Sequence, residues 1–587
     1  MPPSHEKISR IDLLPEAQLP DVSDLLDEAR QVGSIVGDCL FLDHYGVPSE
    51  YHYKRNAANA GHIMLHGQIG YRSLEQSCRA YAEIHQRLEE HGYTVDRYGI
   101  CLDWSMGYPS RQRAGRPRGT GLILQHPDDY RELTAQAPVA PHFGDFVMGM
   151  PAAFETTICA LKAGSTSIGN LGQYFTFRLP NVDDDVVTTT ETIKAIALCG
   201  LQPQPILVHS NLDDGFAALF TDMCCALGAV LIEQTIVEDL LGGRCSHCFG
   251  HTYSDPLTRL AFGMALAEVS NNPGSMIYGN TTSYTDELTG NFASLANYLN
   301  VDISLQRIQP SGHAINPVPV TEALRIPSIQ EVVEAHLFAN RLIKTNALLQ
   351  PLLDYSDARN LAKEIVAGGK VFHANVLNGL SGMGVDIGNP LELLLSIRRL
   401  GARQLELRFG PGNLDHRGKR IAKVESTTLR EIQRRANDIV DALDVNTKNR
   451  LQDSELRICT VTTDVHEYGK VLLEHVLTNL HLNVIDGGVC TDPDRLVSIA
   501  TDEAADAIAI SSYNGVAFTY VNQVMDLLGQ RSGSGMNVYV GGKLNQVATD
   551  GSDLPRDIQP ELEQIGSIPC GGITTMLDDL TNIKRHR

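Results

Sequence analysis

The chain has 587 residues, 43% of them hydrophobic and 20% charged, which predicts two to four folded domains and argues against disorder. Its formal net charge of −22 repels a phosphate backbone and argues against nucleic acid as a partner. Twelve dispersed cysteines, with no apolar leader and no run of about 18 apolar residues, predict a cytoplasmic protein with reduced thiols and no membrane partner.

Residues 1–55 are predicted to form an irregular arm with one amphipathic helix over 22–32. From Gly61 onward, short apolar runs alternate with helical patterns, which is typical of a parallel sheet. Eight such runs within residues 56–325 predict a (β/α)₈ TIM barrel as the catalytic domain. The predicted strands are 62–65, 95–101, 138–143, 165–168, 205–209, 230–233, 275–279 and 303–307, and the helices between them include 74–91, 152–162, 190–198, 215–227 and 256–269.

A second α/β pattern occupies the end of the chain. Residues 326–455 are predicted to be a helical extension that ends in a polar linker over 444–455. Residues 456–587 then show five apolar runs, at 456–461, 483–485, 507–510, 537–540 and 567–569. This number of strands predicts a flavodoxin-like (Rossmann-like) domain, in which ligands bind at the carboxyl ends of the strands.

Three motifs follow predicted strands of this last domain. They are Asp464-x-His466-x-x-Gly469, Ser511-Ser512-Tyr513-Asn514-Gly515, and Gly541-Gly542, and a Pro569-x-Gly571 turn comes later. Together they resemble the DxHxxG…SxL…GG signature of base-off, histidine-on cobalamin proteins, with Tyr513 where leucine is usual. The segment is similar to the small subunit of glutamate mutase (methylaspartate mutase).

The resemblance implies a role for each motif in binding cobalamin. His466 would be the axial cobalt ligand, and Asp464 would fix its tautomer and orientation. Gly469 would admit the displaced dimethylbenzimidazole tail, and the serines would bond to that base. The remaining predicted cofactor contacts are Ser511, Ser512, Tyr513, Gly515, Gly541, Gly542 and Gly571.

The predicted barrel resembles the large subunit of the same family over roughly residues 60–415. The matching stretches are 164–167, 319–323 and 384–387. This resemblance implies that the two subunits are fused and that the cofactor is adenosylcobalamin. A 5′-deoxyadenosyl radical would then start a carbon-skeleton rearrangement of a small-molecule substrate, and the enzyme would be a homodimer.

The barrel departs from the family at its carboxylate-binding positions. Gln68 stands in place of an arginine, and Gly169 replaces the glutamate that receives the substrate ammonium. Because each buried charge needs a partner, these changes predict a substrate other than glutamate, such as a related acid, an amide or a less charged metabolite. The candidate substrate residues are Arg111, His142, Asn170, Arg178, His209 and Asn211, while Gln68, Gln309 and His313 are expected to contact the cofactor.

Two alternatives to a mutase remain open. One is a cobalamin carrier or sensor, and the other is a corrinoid methyltransferase. No lysine can be assigned as an anchor for pyridoxal phosphate, which argues against an aminomutase. Cys245 and Cys248 have the spacing of zinc ligands, but the same stretch also fits a loop that leaves the sixth strand.

Overall fold

The computed structural model describes residues 8–16, 18–116, 118–182, 184–211, 213, 220–251, 255–416, 418–463, 467–513, 515–530, 536–547 and 555–583. The chain divides into two compact units. The N-terminal unit comprises Met1–Phe175 and Asp184–Thr427, and the C-terminal unit comprises Thr176–Asp183 and Thr428–Arg587.

The strands of the N-terminal unit are β1 His66–Ile69, β2 Arg97–Ile100, β3 Ala140–Phe143, β4 Ser167–Ile168, β5 Leu207–Asn211, β6 Arg244–Cys248, β7 Met276–Ile277 and β8 Ala314–Ile315. β1 to β6 form one parallel sheet in chain order, and β7 pairs with β8. Parallel bridges also join Phe249 to Ile277 and Leu65 to Ile315. Each of these eight strands therefore has its neighbours in cyclic order.

Helices precede, separate and follow these strands along the chain. Those of the N-terminal unit are α1 Arg10–Leu13, α2 Val22–Val32, α3 Leu40–Tyr45, α4 Glu50–Asn59, α5 Leu74–Glu90, α6 Pro127–Thr134, α7 Ala153–Lys162, α8 Gln173–Thr176, α9 Asp185–Leu201, α10 Met223–Gln234, α11 Pro256–Val269, α12 Leu288–Ile308, α13 Ile329–Asn346, α14 Ser356–Gly382 and α15 Pro390–Phe409.

Helix α5 illustrates how the sequence specifies these elements. Ser73 accepts a hydrogen bond from the backbone N–H of Gln76 at 3.1 Å and caps the helix start. Tyr81, Ile84 and Leu88 recur at helical spacing and are fully buried. The helix thus packs one apolar stripe against the core of the unit.

Five of the eight predicted strands overlap observed strands. The first, 62–65, ends just before β1 and contributes only the bridge of Leu65 to Ile315, and two are wrong. The run 230–233 lies within α10, and the run 303–307 lies within α12. The run 230–233 is apolar, whereas 303–307 alternates apolar and polar residues before its arginine. Over so few residues neither pattern distinguishes a strand from a segment of a buried helix. The strands that take their place are β6, which carries arginine, serine and histidine, and β8, which has only two residues.

The C-terminal unit contains a five-stranded parallel sheet, as the flavodoxin-like prediction requires. Its strand order is β10 Asn483–Val489, β9 Arg457–Thr462, β11 Ala507–Ser512, β12 Asn537–Gly542 and β15 Ile568–Pro569. Most of the predicted polar linker, 444–455, forms helix α17 Val445–Ser454 within this unit. The elements are α16 Thr427–Ala442, α17 Val445–Ser454, β9 Arg457–Thr462, α18 Tyr468–Asn479, β10 Asn483–Val489, α19 Pro493–Asp502, β11 Ala507–Ser512, α20 Ala517–Gln530, β12 Asn537–Gly542, a hairpin of β13 Asn545–Val547 and β14 Pro555–Asp557, α21 Gln559–Gln564, β15 Ile568–Pro569 and α22 Ile573–Leu580.

Among the described helices, none combines the length and the apolar character that crossing a bilayer requires.

Candidate functional site

The sheet of the C-terminal unit brings the sequence motifs to one edge. Ser511 pairs with Thr462 on one side and with Gly541 on the other. Thr463, which follows β9, donates its N–H to the Ser511 carbonyl at 3.0 Å and its hydroxyl to Ser512 Oγ at 2.8 Å. The predicted ligand loop, residues 464–466, continues from this point but lies outside the described residues.

The glycines at this edge of the sheet differ in whether the surrounding backbone requires glycine. Gly542 has φ +99°, and a Cβ there would lie 2.2 Å from the Ser512 carbonyl oxygen, so the backbone itself requires glycine. At Gly541 the nearest atom to a Cβ would be 3.8 Å away, and at Gly571 no atom lies within 4 Å. The fold does not need glycine at these two positions, which leaves open space beside the strand ends.

Gly469, the first residue of its motif that the structure describes, faces the serines. A Cβ at Gly469 would lie 2.7 Å from Ser511 Oγ. Gly515 has φ +72°, which explains glycine after the serine motif. Tyr513 is 41% exposed and lies under Lys543, whose Nζ is 5.0 Å from the ring centroid. Hydroxyl groups, open space and an exposed ring at one strand edge fit a nucleotide-tailed ligand such as cobalamin.

A buried lysine outside the predicted motif residues, Lys470, stabilises the helix that follows the predicted ligand loop. Lys470 Nζ lies 2.7 Å from Glu474 Oε1 and 2.8 Å from Asp486 Oδ1. Burial alone would lower the pKa of Lys470, but these carboxylates outweigh it, so the pKa is raised. Thr460 also donates to Glu474 at 2.8 Å. The network ties α18 to β9 and β10 immediately beyond Gly469.

Arg178, a predicted substrate residue, belongs to the C-terminal unit. Its Nη2 lies 2.7 Å from Asp492 Oδ2, and its Nη1 donates to the Cys490 carbonyl at 3.2 Å. The backbone N–H of Asn181 donates to the other Asp492 oxygen at 3.3 Å. The guanidinium therefore fastens the segment 176–183 to the loop after β10.

In the N-terminal unit, Arg97 at the start of β2 is the centre of a buried polar cluster. Its Nε donates to Glu50 at 2.8 Å and its Nη1 to His66 Nδ1 at 3.0 Å. Its Nη2 donates to the hydroxyls of Ser167 and Ser275, both at 3.1 Å. One side chain thereby links β1, β2, β4 and β7 to helix α4. Arg97 is not among the residues predicted from the sequence.

Predicted residues His142 and His209 join this cluster. Their rings lie 4.5 Å apart and nearly perpendicular. His142 Nδ1 donates to the Ser167 carbonyl at 2.8 Å, and His209 Nδ1 contacts Ser275 Oγ at 2.6 Å. Burial, reinforced by the Arg97 cation, lowers the pKa of both rings well below the usual value. Both are therefore neutral at physiological pH.

Of the other predicted residues, Asn170 and Asn211 lie at the carboxyl ends of the neighbouring strands β4 and β5. Asn170, after β4, accepts the backbone N–H groups of Gly172 at 3.0 Å and of Asn211 at 2.8 Å. Gln68 on β1 accepts the Cys101 thiol at 3.5 Å. Arg111 is exposed in a short 3₁₀ helix, Ser110–Gln112. The structure brings Asn170 and Asn211 together.

Gln309 and His313 lie at the amino ends of the strands, and not after the eighth strand as predicted. Because the eighth strand is β8 rather than 303–307, both residues precede it. His313 Nδ1 contacts Ser311 Oγ at 2.7 Å, and its Nε2 donates to the His247 carbonyl at 3.1 Å. Burial lowers the pKa of His313 to about 3. Both residues line a polar cavity of about 210 Å³ at the amino ends of the strands.

The cysteine pair is part of a strand, not of a loop. Cys245 and Cys248 both lie on β6, where residues three apart point to opposite faces. His247 between them bonds to Glu233 at 2.9 Å. The described residues contain no group of three side chains arranged to hold a metal.

Part of the C-terminal unit matches a known protein family. Residues 455–553 match the family model described as the B12 binding domain. Among solved structures, the chain is similar to a cobalamin-binding protein from Desulfitobacterium hafniense DCB-2, at 14% identity over 27% of this chain and 78% of that chain, with a TM-score of 0.20. No curated protein matches the chain. The C-terminal unit thus contains a B12-binding domain, and cobalamin binding is supported by the family match.

Proposed function

We propose that the chain is an adenosylcobalamin-dependent radical mutase that rearranges the carbon skeleton of a small carboxylic acid other than glutamate. The observation that carries this proposal is the combination, in one chain, of a B12-binding domain with eight parallel strands in cyclic order around a polar interior. Such an arrangement supports a closed (β/α)₈ barrel with a substrate site at its strand ends. When bound, adenosylcobalamin supplies the organic radical for such a reaction.

The residues proposed to hold the cofactor follow the strand edge of the C-terminal unit. His466 would bind cobalt through a neutral imidazole nitrogen, oriented by Asp464. The open space beside Gly541 and Gly571 would receive the nucleotide tail. The hydroxyls of Ser511 and Ser512 would bond to its buried base.

Local geometry supports a substrate other than glutamate. A Cβ at Gly169 would lie 2.5 Å from the carbonyl oxygen of His209 and 2.7 Å from its Cβ, so a glutamate side chain has no room there. Arg178, whose guanidinium could have replaced a lost carboxylate partner, is paired with Asp492. A substrate ammonium would therefore lack its counter-charge at this position.

The test is to load the full chain with adenosylcobalamin, add a panel of small acids and amides, and look for cob(II)alamin by EPR. Formation of cob(II)alamin together with isotope exchange into 5′-deoxyadenosine is expected for one member of the panel. Bound cofactor without cob(II)alamin across the panel would favour a carrier or sensor, whereas methyl transfer to an acceptor would favour a methyltransferase.

A His466→Ala variant tests the cobalt ligand separately. Cob(II)alamin bound to the unsubstituted chain should show hyperfine splitting from one axial histidine nitrogen. The variant should lose that splitting. Unchanged nitrogen splitting in the variant would contradict the assignment of His466.

A further inference from the structure

Among the described residues, one ring nitrogen of the fully buried His66 has a hydrogen-bond partner and the other has none. Arg97 Nη1 donates to His66 Nδ1 at 3.0 Å, so Nδ1 carries the lone pair and Nε2 carries the proton. His66 is 0% exposed, and its Nε2 has no hydrogen-bond partner among the described residues. Burial and the Arg97 cation lower the pKa of the ring well below its usual value. The ring is therefore a neutral N–H donor.

This unpaired donor lies next to a part of the strand that solvent reaches. Gln68, two residues further along β1 and on the same face, is only partly buried, as is Cys101. A Cβ at Gly99 on the neighbouring strand would lie 2.3 Å from Gln68 Oε1 and 2.8 Å from His66 Nε2. Glycine at this position therefore lets the two polar groups approach each other beside β2.

The charges around His66 favour an anion. Arg97 and Lys54 are cations, whereas Glu50 is the carboxylate that bonds to them, at 2.8 Å from Arg97 and 3.6 Å from Lys54. All three side chains are almost fully buried. The neutral histidines add no charge, and the buried carboxylate of Asp96, which also acts on Lys54, is paired with His62 at 2.7 Å. The cation that directly contacts the His66 ring is Arg97, and a carboxylate at Nε2 would lie near it in a region of low dielectric.

We propose that His66 anchors the substrate, with its Nε2–H donating to an oxygen of a single substrate carboxylate that enters past Gln68. This assignment rests on the proposed function, because it places the substrate at the strand ends of the N-terminal unit. The hydrogen bond would satisfy a buried donor and place the carboxylate near the Arg97 cation.

Two substitutions separate anchoring from a purely structural role. His66→Asn keeps an acceptor at the position of Nδ1 for Arg97 but removes the Nε2–H. His66→Gln keeps an N–H near the position of Nε2 but removes the Nδ1 acceptor. Anchoring predicts that His66→Asn binds a carboxylate more weakly, whereas a structural role predicts that His66→Gln is the more damaged variant.

The binding assay uses the full chain loaded with adenosylcobalamin, titrated with ¹³C-propionate or its neutral analogue propionamide and followed by NMR. We expect propionate to bind more tightly than propionamide, His66→Asn to weaken propionate binding about 10- to 100-fold, and His66→Gln to retain most of it. Propionate binding unchanged in His66→Asn, equal binding of the two probes, or no binding to the unsubstituted chain would overturn the proposal. The readout requires no turnover, so it stands or falls separately from cob(II)alamin formation.

Discussion

Replacing Arg97 by methionine should destabilise the N-terminal unit strongly. The substitution keeps much of the side-chain volume but removes the cation 2.8 Å from Glu50 and the hydrogen bonds to three other side chains. The carboxylate is 2% exposed and would retain only Lys54, at 3.6 Å. Breaking a buried pair by removing one partner costs about 3–5 kcal/mol, and we expect about 4 kcal/mol here, a roughly 1000-fold change in the unfolding equilibrium.

The double variant Glu50→Gln/Arg97→Met supplies the control. It removes the stranded negative charge, so about half of the lost stability should return. Urea unfolding can be followed in this unit alone, because Trp104 is the one tryptophan of the chain and is buried just after β2. A loss below about 1 kcal/mol for Arg97→Met, or a double variant no more stable than the single one, would refute the view that this ion pair is tightly coupled.

Three further predictions use other contacts. Burial lowers the pKa of Lys54 to about 8, so between pH 8 and about 10 the unfolded state binds more protons than the folded state. The stability of the unsubstituted chain, measured by urea unfolding, should therefore rise with pH relative to that of Lys54→Met. A stability difference between the two that does not change with pH would contradict this. Gly541→Ala should fold normally, because its Cβ would meet only ordinary contacts. It should bind cobalamin about 10-fold more weakly by spectral titration. Unchanged affinity would show that the nucleotide tail does not lie beside Gly541. Hydrogen exchange of segment 176–183 should accelerate equally in Arg178→Met, Asp492→Asn and the double variant, because one ion pair fastens it; additive effects would show that the residues act independently.

The sequence predicted elements well where the local pattern was unambiguous. Helices α5 and α7 and strand β9 appear within one or two residues of their predicted bounds, because capping residues and apolar periodicity agree there. It failed where a short stretch of a buried helix resembles a strand, as in 230–233 of α10 and 303–307 of α12. It also failed at β8, whose two residues carry too little pattern for detection. Because the eighth strand was predicted at 303–307, Gln309 and His313 were predicted to follow it, whereas they precede β8.

The cofactor edge and the substrate residues differ in how far a sequence can specify them. The cobalamin motif is a set of backbone requirements and short side chains at consecutive strand ends, so order along the chain was enough to group Ser511 with Gly541. The substrate region depends instead on long-range pairs. Arg178 is an available cation in the sequence but is occupied by Asp492, 314 positions away.

The role of His66 also depends on a contact between residues far apart in the sequence. Nothing in its local sequence identifies it as a donor, because its tautomer is set by Arg97, 31 positions away on the next strand. Its Nε2–H, which has no partner in the part of the chain that the structure describes, is defined only once β1 and β2 pair in register, with His66 opposite Arg97. Substrate choice in this chain should therefore respond to residues that set hydrogen-bond partners, including Arg97 and Gly99, as much as to residues that contact the substrate directly.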